Sequence, residues 1–118
     1  MKQFELHRTY RKKDLCALVL CLPAGIHVSL YGGDLPHIGA VGIVDVDGSC
    51  SVVEFPCHRE GVLCERWIAA LANAGFCPAV VEAGIHYDNL DKYGIRTVME
   101  LMDEMLCDVL SALAIHPV

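Results

Sequence analysis

No apolar run in this sequence reaches the roughly 18 residues that a membrane span needs; the best candidate, Leu15 to Pro23, has the length of a strand. Positive charge is in short supply. Nine Lys and Arg stand against fifteen Asp and Glu, a net charge of −6, which argues against generic nucleic-acid binding because phosphate contacts need a basic surface. The N-terminal MKQFELHRTYRKKD has no apolar h-region, so a signal peptide is not expected and the expected location is cytoplasmic. None of the seven cysteines forms a C-x-x-C pair, which removes the zinc-knuckle and redox-dithiol readings. There is no G-x-S-x-G, H-E-x-x-H or P-loop pattern. Repeats, low-complexity tracts and linkers are missing as well, so the 118 residues are expected to form a single domain, 1–118.

What is present is material for a core: 54% of residues are hydrophobic and 20% charged, well outside the composition of a disordered chain. Most of the cysteines sit within apolar periodicity, where a free thiol packs as a small hydrophobe, and their odd number suits a reducing compartment. Phe4 to Tyr10 alternates and reads as a half-buried strand. Leu15 to Leu22 is continuously apolar and reads as a central one. In Ile26 to Tyr31, Ile26, Val28 and Leu30 share one face, and His27, Ser29 and Tyr31 the other. Ile38 to Val46 and Cys50 to Phe55 flank Asp47-Gly48, a strong hairpin signal. After Pro56 the period changes. Val62, Leu63, Trp67, Ile68, Leu71 and Ala72 predict a helix over 60–74, closed by Gly75. Ala79 to Ile85 predicts a strand. A long helix follows, capped by Asp88 or Asp91, with an apolar stripe running from Ile95 to Leu113. The expected fold is α+β: a mainly antiparallel sheet of five to six strands with two helices covering one face.

Three places depart from plain sheet-and-helix design. In YGGDLPHIGAV (31–41), Gly32 and Gly33 permit positive φ and bring backbone amides within reach of a ligand, and Pro36 fixes the chain before His37. In PCHREG (56–61), His58, Arg59 and Glu60 stand at a helix start, where backbone N–H groups favour anions and Arg59 offers a two-pronged grip on phosphate. In GIHYDN (84–89), His86, Tyr87, Asp88 and Asn89 follow a strand and precede a helix, an edge where ligands bind in α/β layers. Each stretch also has a plainer reading as turn and cap residues. The basic run Arg8 to Lys13 reads as a solvated hairpin tip. Cys57 next to His58 is a poor candidate for an activated thiol, since adjacent residues rarely orient as nucleophile and base. His7, His27 and His116 lack such surroundings and read as structural, as do Met99, Met102, Met105 and Trp67. Convergence of the three loops at one end of the sheet is the expectation on which a shared site depends.

Taken together, YGGDLPHIGAV, CHRE and AGIHYDNL resemble the LpdD-like proteins, whose pattern runs G-G-x-x-P-H-I-G-A-V, then G-H-K-E, then G-I-H-[WY]-D-N-L. The likeness extends from about Tyr31, with Gly39 inside the first motif, to the last helix. Cys57 stands where the family usually has glycine, Arg59 where lysine is common and Gly42 where alanine is frequent. What the resemblance implies is a non-catalytic accessory role: holding reduced prenylated FMN as cargo and assisting its insertion into a UbiD-type hydroxyarylic acid decarboxylase, with a flavin prenyltransferase as a possible further partner. On that reading Gly32, Gly33 and the helix start near Glu60 supply amides. His37, His58, Arg59 and His86 supply positive charge, and Tyr31 and Tyr87 stack on the ring.

Two other classes compete. One is a small metal-dependent enzyme built on His37, His58 and His86, with Glu60 and Asp88 as further ligands, although no pair has a recognised metal spacing; whether a divalent metal is held at all stays open at this stage. The other is a purely structural decarboxylase subunit. Half-exposed apolar strands in so small a domain also suggest a homo-oligomer.

Overall fold

The structure, a computed structural model, describes residues 2–56 and 59–115. Eight elements follow one another: strands β1 (Lys2–Tyr10), β2 (Lys13–Leu22), β3 (Gly25–Gly33), β4 (Ala40–Val44) and β5 (Cys50–Glu54), helix α1 (Gly61–Asn73), strand β6 (Ala79–His86) and helix α2 (Lys92–Ile115). The strands form one sheet in the order β1-β2-β3-β6-β4-β5. All neighbours are antiparallel except β3 and β6, which run parallel with Gly33 beside His86. The α+β class is as expected; the sheet is mixed rather than purely antiparallel, because β6 returns after a long crossover and slots between β3 and β4.

Alternation sets the two faces. Leu15, Ala17, Val19 and Cys21 of β2, Ile26, Val28 and Leu30 of β3, and Ala79, Val81 and Ala83 of β6 are buried beneath the helices. Leu63, Cys64, Trp67, Ile68 and Leu71 bring α1 onto them, at a spacing that puts all five on one helical stripe. Val98, Met102, Met105, Val109 and Leu113 do the same for α2. Asp91 caps α2, its Oδ1 accepting the Gly94 N–H at 2.8 Å. The basic run at the β1–β2 hairpin has Arg11, Lys12 and Lys13 exposed at its tip, and two of its arginines bond within the chain. Arg8 bonds Asp108 at 2.6 Å, and Arg11 donates to the Asp88 carbonyl at 3.2 Å. Among the described residues no helix is long and apolar enough to cross a membrane.

The cysteines divide accordingly. Cys16, Cys21 and Cys64 are buried, and Cys50, Cys77 and Cys107 are exposed. Burial pushes the Cys64 thiol up to about 11 and raises those of Cys16 and Cys21. Since only the thiolate reacts, brief iodoacetamide treatment of the native protein at pH 8 should label Cys50, Cys77 and Cys107 and spare Cys16, Cys21 and Cys64 until denaturant is added. Peptide mapping by mass spectrometry reads the result, and labelling of Cys64 ahead of Cys77 would contradict the packing.

Candidate functional site

β3 and β4 flank β6 on opposite sides, so the loop joining them, 34–39, must cross the C-terminal end of β6. It does so in continuous hydrogen-bond contact. The Asp34 N–H donates to the His86 carbonyl at 2.6 Å, the His37 N–H to Gly84 at 3.3 Å and the Gly39 N–H to Ala83 at 2.8 Å. Asp34 Oδ2 accepts the Asp88 N–H at 3.0 Å and ties the following turn to the same crossing. Gly84 makes the crossing possible, because a Cβ there would run into the His37 carbonyl oxygen. Gly33 has φ +81, and a Cβ would strike the His86 carbonyl. Two of the three segments singled out in the sequence thus meet as backbone against backbone.

The third meets them through Glu60. His37 Nε2 and Glu60 Oε1 lie 2.8 Å apart, with side chains only 18% and 12% exposed. Glu60 Oε2 also accepts the Arg59 N–H at 3.0 Å, and a Cβ at Gly39 would occupy the place of this carboxylate. At the start of α1 the Gly61 N–H donates to Glu54 Oε2 at 2.9 Å. Two carboxylates therefore already answer the positive end of this helix, and an anion in the neighbourhood depends on side-chain cations instead. Among the described residues the Arg59 guanidinium, which is exposed, makes no ion pair. Arg66, one helical face further on, is held by Asp103 at 2.9 Å.

Above this junction the first turns of α1 and α2 stand apart and border an open cavity of about 930 Å³, within the roughly 300–1,000 Å³ of small-molecule sites. Its wall is apolar, from Leu63, Ile85, Leu90, Val98 and Met99. Charged and titratable groups, Arg59, Glu60, Arg66, His37 and His86, also line it. At its mouth Leu35, Ile38, Val62 and Ile95 are 61%, 56%, 56% and 51% exposed. Tyr87 lines it too. Its ring meets Tyr10 edge-on at 5.3 Å, and its hydroxyl is buried with no hydrogen-bond partner among the described residues. Burial, then the nearby Asp34 carboxylate, raises the Tyr87 phenol above its usual range. A smaller depression of about 200 Å³ lies at the other end of β6, between the β2–β3 turn and Phe76 to Pro78, and has no charged lining.

Residues 9–114 match the model of the prenylated flavin chaperone LpdD-like domain. Protein LpdD of Lactiplantibacillus plantarum is 30% identical over 98 residues, covering 77% of this chain and 71% of that protein. The chain belongs to the LpdD-like family. The family match spans every segment that builds the cavity, from the end of β1 to the last turns of α2.

Within this LpdD-like chain the residues expected to form a site divide into groups. The cavity brings together His37, Arg59, Glu60, His86 and Tyr87. Gly32, Gly33, Pro36 and Gly39 shape the crossing loop, and Gly32 and Gly39 are buried. Asp88 and Asn89 stand in the turn after β6. Asp88 Oδ1 bonds His86 Nε2 at 3.0 Å, and Asn89 takes φ +56, a conformation asparagine tolerates. Tyr31 is outside the cavity: it points to the sheet face without helices and hydrogen-bonds Cys16, which with burial pushes its phenol up to about 12. His58, with Cys57, lies outside the described residues. His37 and His86 belong to no group of three described side chains close enough to share an ion.

Sequence reasoning passed over the apolar wall and Arg66. Val62 and Ile95 fall on the helical stripes, and both are more than half exposed at the mouth of the cavity.

Proposed function

We propose that this LpdD-like protein binds reduced prenylated FMN in the 930 Å³ cavity and assists its delivery to a UbiD-type hydroxyarylic acid decarboxylase, acting as a binding protein rather than a catalyst. The observation that carries this reading is the pairing of an apolar wall with cationic side chains in one cavity at the end of the parallel strand pair. The cargo has the same division, a flat ring system with an added hydrocarbon ring at one end and a phosphate dianion at the other. Ile85, Leu90, Val98 and Met99 suit the first; Arg59, with the guanidinium of Arg66 nearby, suits the second.

Handover suits the same geometry. Four exposed apolar side chains around the mouth, Leu35, Ile38, Val62 and Ile95, are poorly placed for an isolated monomer and well placed for a surface that closes over the cargo. The sheet face opposite the helices exposes Leu22, Ile43, Val53 and Val80, which supports self-association into a homo-oligomer.

The test is anaerobic co-expression with a flavin prenyltransferase, followed by purification and an absorbance spectrum. A bound flavin-type chromophore near one equivalent is the expected result. Arg59→Ala should weaken binding of the reduced cofactor by at least about tenfold, the order of one charge-assisted phosphate contact, with little change in melting temperature because Arg59 is exposed. Co-purification with a decarboxylase but with no small molecule would replace this reading by the structural-subunit one.

A further inference from the structure

On the face of the sheet without helices, β1, β2 and β3 place three side chains in one row. His7 is directly opposite Cys16, and Cys16 is directly opposite Tyr31. Glu5, two residues before His7, shares that face. Cys16 is fully buried, yet it stands apart from the core beneath the helices and is covered from the open side. One carboxylate oxygen of Glu5, one ring nitrogen of His7 and the sulfur of Cys16 all lie within 4.8 Å of one another.

We propose that Glu5, His7 and Cys16 form a zinc-binding site on this face, separate from the cavity and independent of its cargo. Thiolate, imidazole and carboxylate are zinc donors at roughly 2.0 to 2.3 Å, which around one tetrahedral ion puts neighbouring donor atoms about 3.5 Å apart. His7 Nε2 and Glu5 Oε2 are already 2.9 Å apart, so small side-chain rotations bring the three onto one ion. A sulfur and a nitrogen donor disfavour magnesium and calcium.

The surroundings are those a zinc site needs. The Asp14 Oδ2 lies 2.8 Å from His7 Nδ1. With Nε2 on the ion, Nδ1 carries the hydrogen and donates it to Asp14, the carboxylate–histidine–metal arrangement that fixes ring tautomer and orientation. Tyr31 stands directly across from Cys16 on the neighbouring strand. On binding, the sulfur gives up its proton to solvent as the Zn–S bond forms, and the nitrogen and carboxylate donate lone pairs. Thiolate and carboxylate together neutralise the ion, and the fourth position faces solvent. The ion would pin β1 to β2.

The test uses the full chain, stripped with a chelator under reducing, anaerobic conditions. Zinc is titrated against a chromophoric competitor, and cobalt(II) is used as the spectroscopic probe. The expected result is one equivalent bound, with a thiolate-to-cobalt charge-transfer band and the intense visible bands of four-coordination. Cys16→Ser should abolish the charge-transfer band, and Glu5→Gln, at an exposed position that leaves folding intact, should lower zinc affinity at least tenfold. Asp14→Asn should cost about tenfold, while His27→Gln and Cys50→Ser should leave affinity unchanged. A cobalt spectrum without thiolate charge transfer, or zinc held equally well by the Glu5→Gln and His7→Gln variants, overturns the proposal. So does a stoichiometry near zero, which would leave His7 as no more than a base clamped between two acids.

Discussion

Gly84→Ala is expected to lower the unfolding free energy by about 3 kcal/mol and the melting temperature by ~12 °C, at ~4 °C per kcal/mol for a chain of this length. One methyl group does this because the atom it meets cannot step aside. The obstacle is the His37 carbonyl oxygen, with its carbon and the next nitrogen close behind. That backbone is held on both sides, by the His37 N–H on the Gly84 carbonyl and the Gly39 N–H on Ala83. Relief therefore requires lifting the crossing loop off β6, which breaks those bonds and draws His37 away from Glu60. Gly48→Ala is the control. Gly48 has φ +88 but nothing within 4 Å of an added Cβ, so only the backbone cost of about 1 kcal/mol applies. Urea unfolding of both variants reads the difference. A Gly84→Ala protein as stable as the Gly48→Ala protein would show that the loop does not cross β6 as described. The same variant should also bind cargo poorly, since His37, Leu35 and Ile38 reach the cavity only through that loop.

Local pattern made most of the elements legible. Alternation in Ile26 to Tyr31 and the continuous run from Leu15 correctly gave β3 and β2, because a strand's two faces repeat every second residue whatever lies beyond it. Helical spacing gave α1 and α2 within one to three residues, and Asp91 rather than Asp88 proved to be the cap. Sheet order was out of reach. Nothing local to Ala79–His86 says that it inserts between β3 and β4, parallel to one and antiparallel to the other. That arrangement is decided by burial of its Ala79, Val81 and Ala83 under α1.

The site was legible in the same uneven way. Glycine within a strand pattern signals close backbone approach, and Gly84 is such a case. The alternation that put Tyr31 with His27 and Ser29, away from Leu30, already placed it on the face opposite the core. Once the cavity proves to lie on the helix side, Tyr31 falls outside it. For Val62 and Ile95 the pattern was silent. Periodicity says which residues share a stripe but not where the facing partner ends, and the first turns of α1 and α2 extend past their cover.

Ile95→Asp turns that overhang into the most discriminating test of the cavity. Ile95 lies in the first turns of α2, a helix with no acidic residue in its first turn, and is 51% exposed. An aspartate near a helix start is favoured by the dipole by about 0.3–1 kcal/mol, which offsets the partial loss of apolar contact. The melting temperature should stay within about 2 °C of the parent. Binding of reduced prenylated FMN should not survive so well. The variant removes apolar wall at the mouth and adds a negative charge to a cavity proposed to hold a phosphate dianion, together worth ~2 kcal/mol, or about a 30-fold weaker Kd. Stability and affinity thus move apart, which a residue serving only the core cannot produce. Anaerobic titration of parent and variant, each checked by thermal unfolding, decides it. Unchanged affinity in a folded Ile95→Asp protein would place the cargo elsewhere, while loss of both fold and binding would return Ile95 to the core stripe.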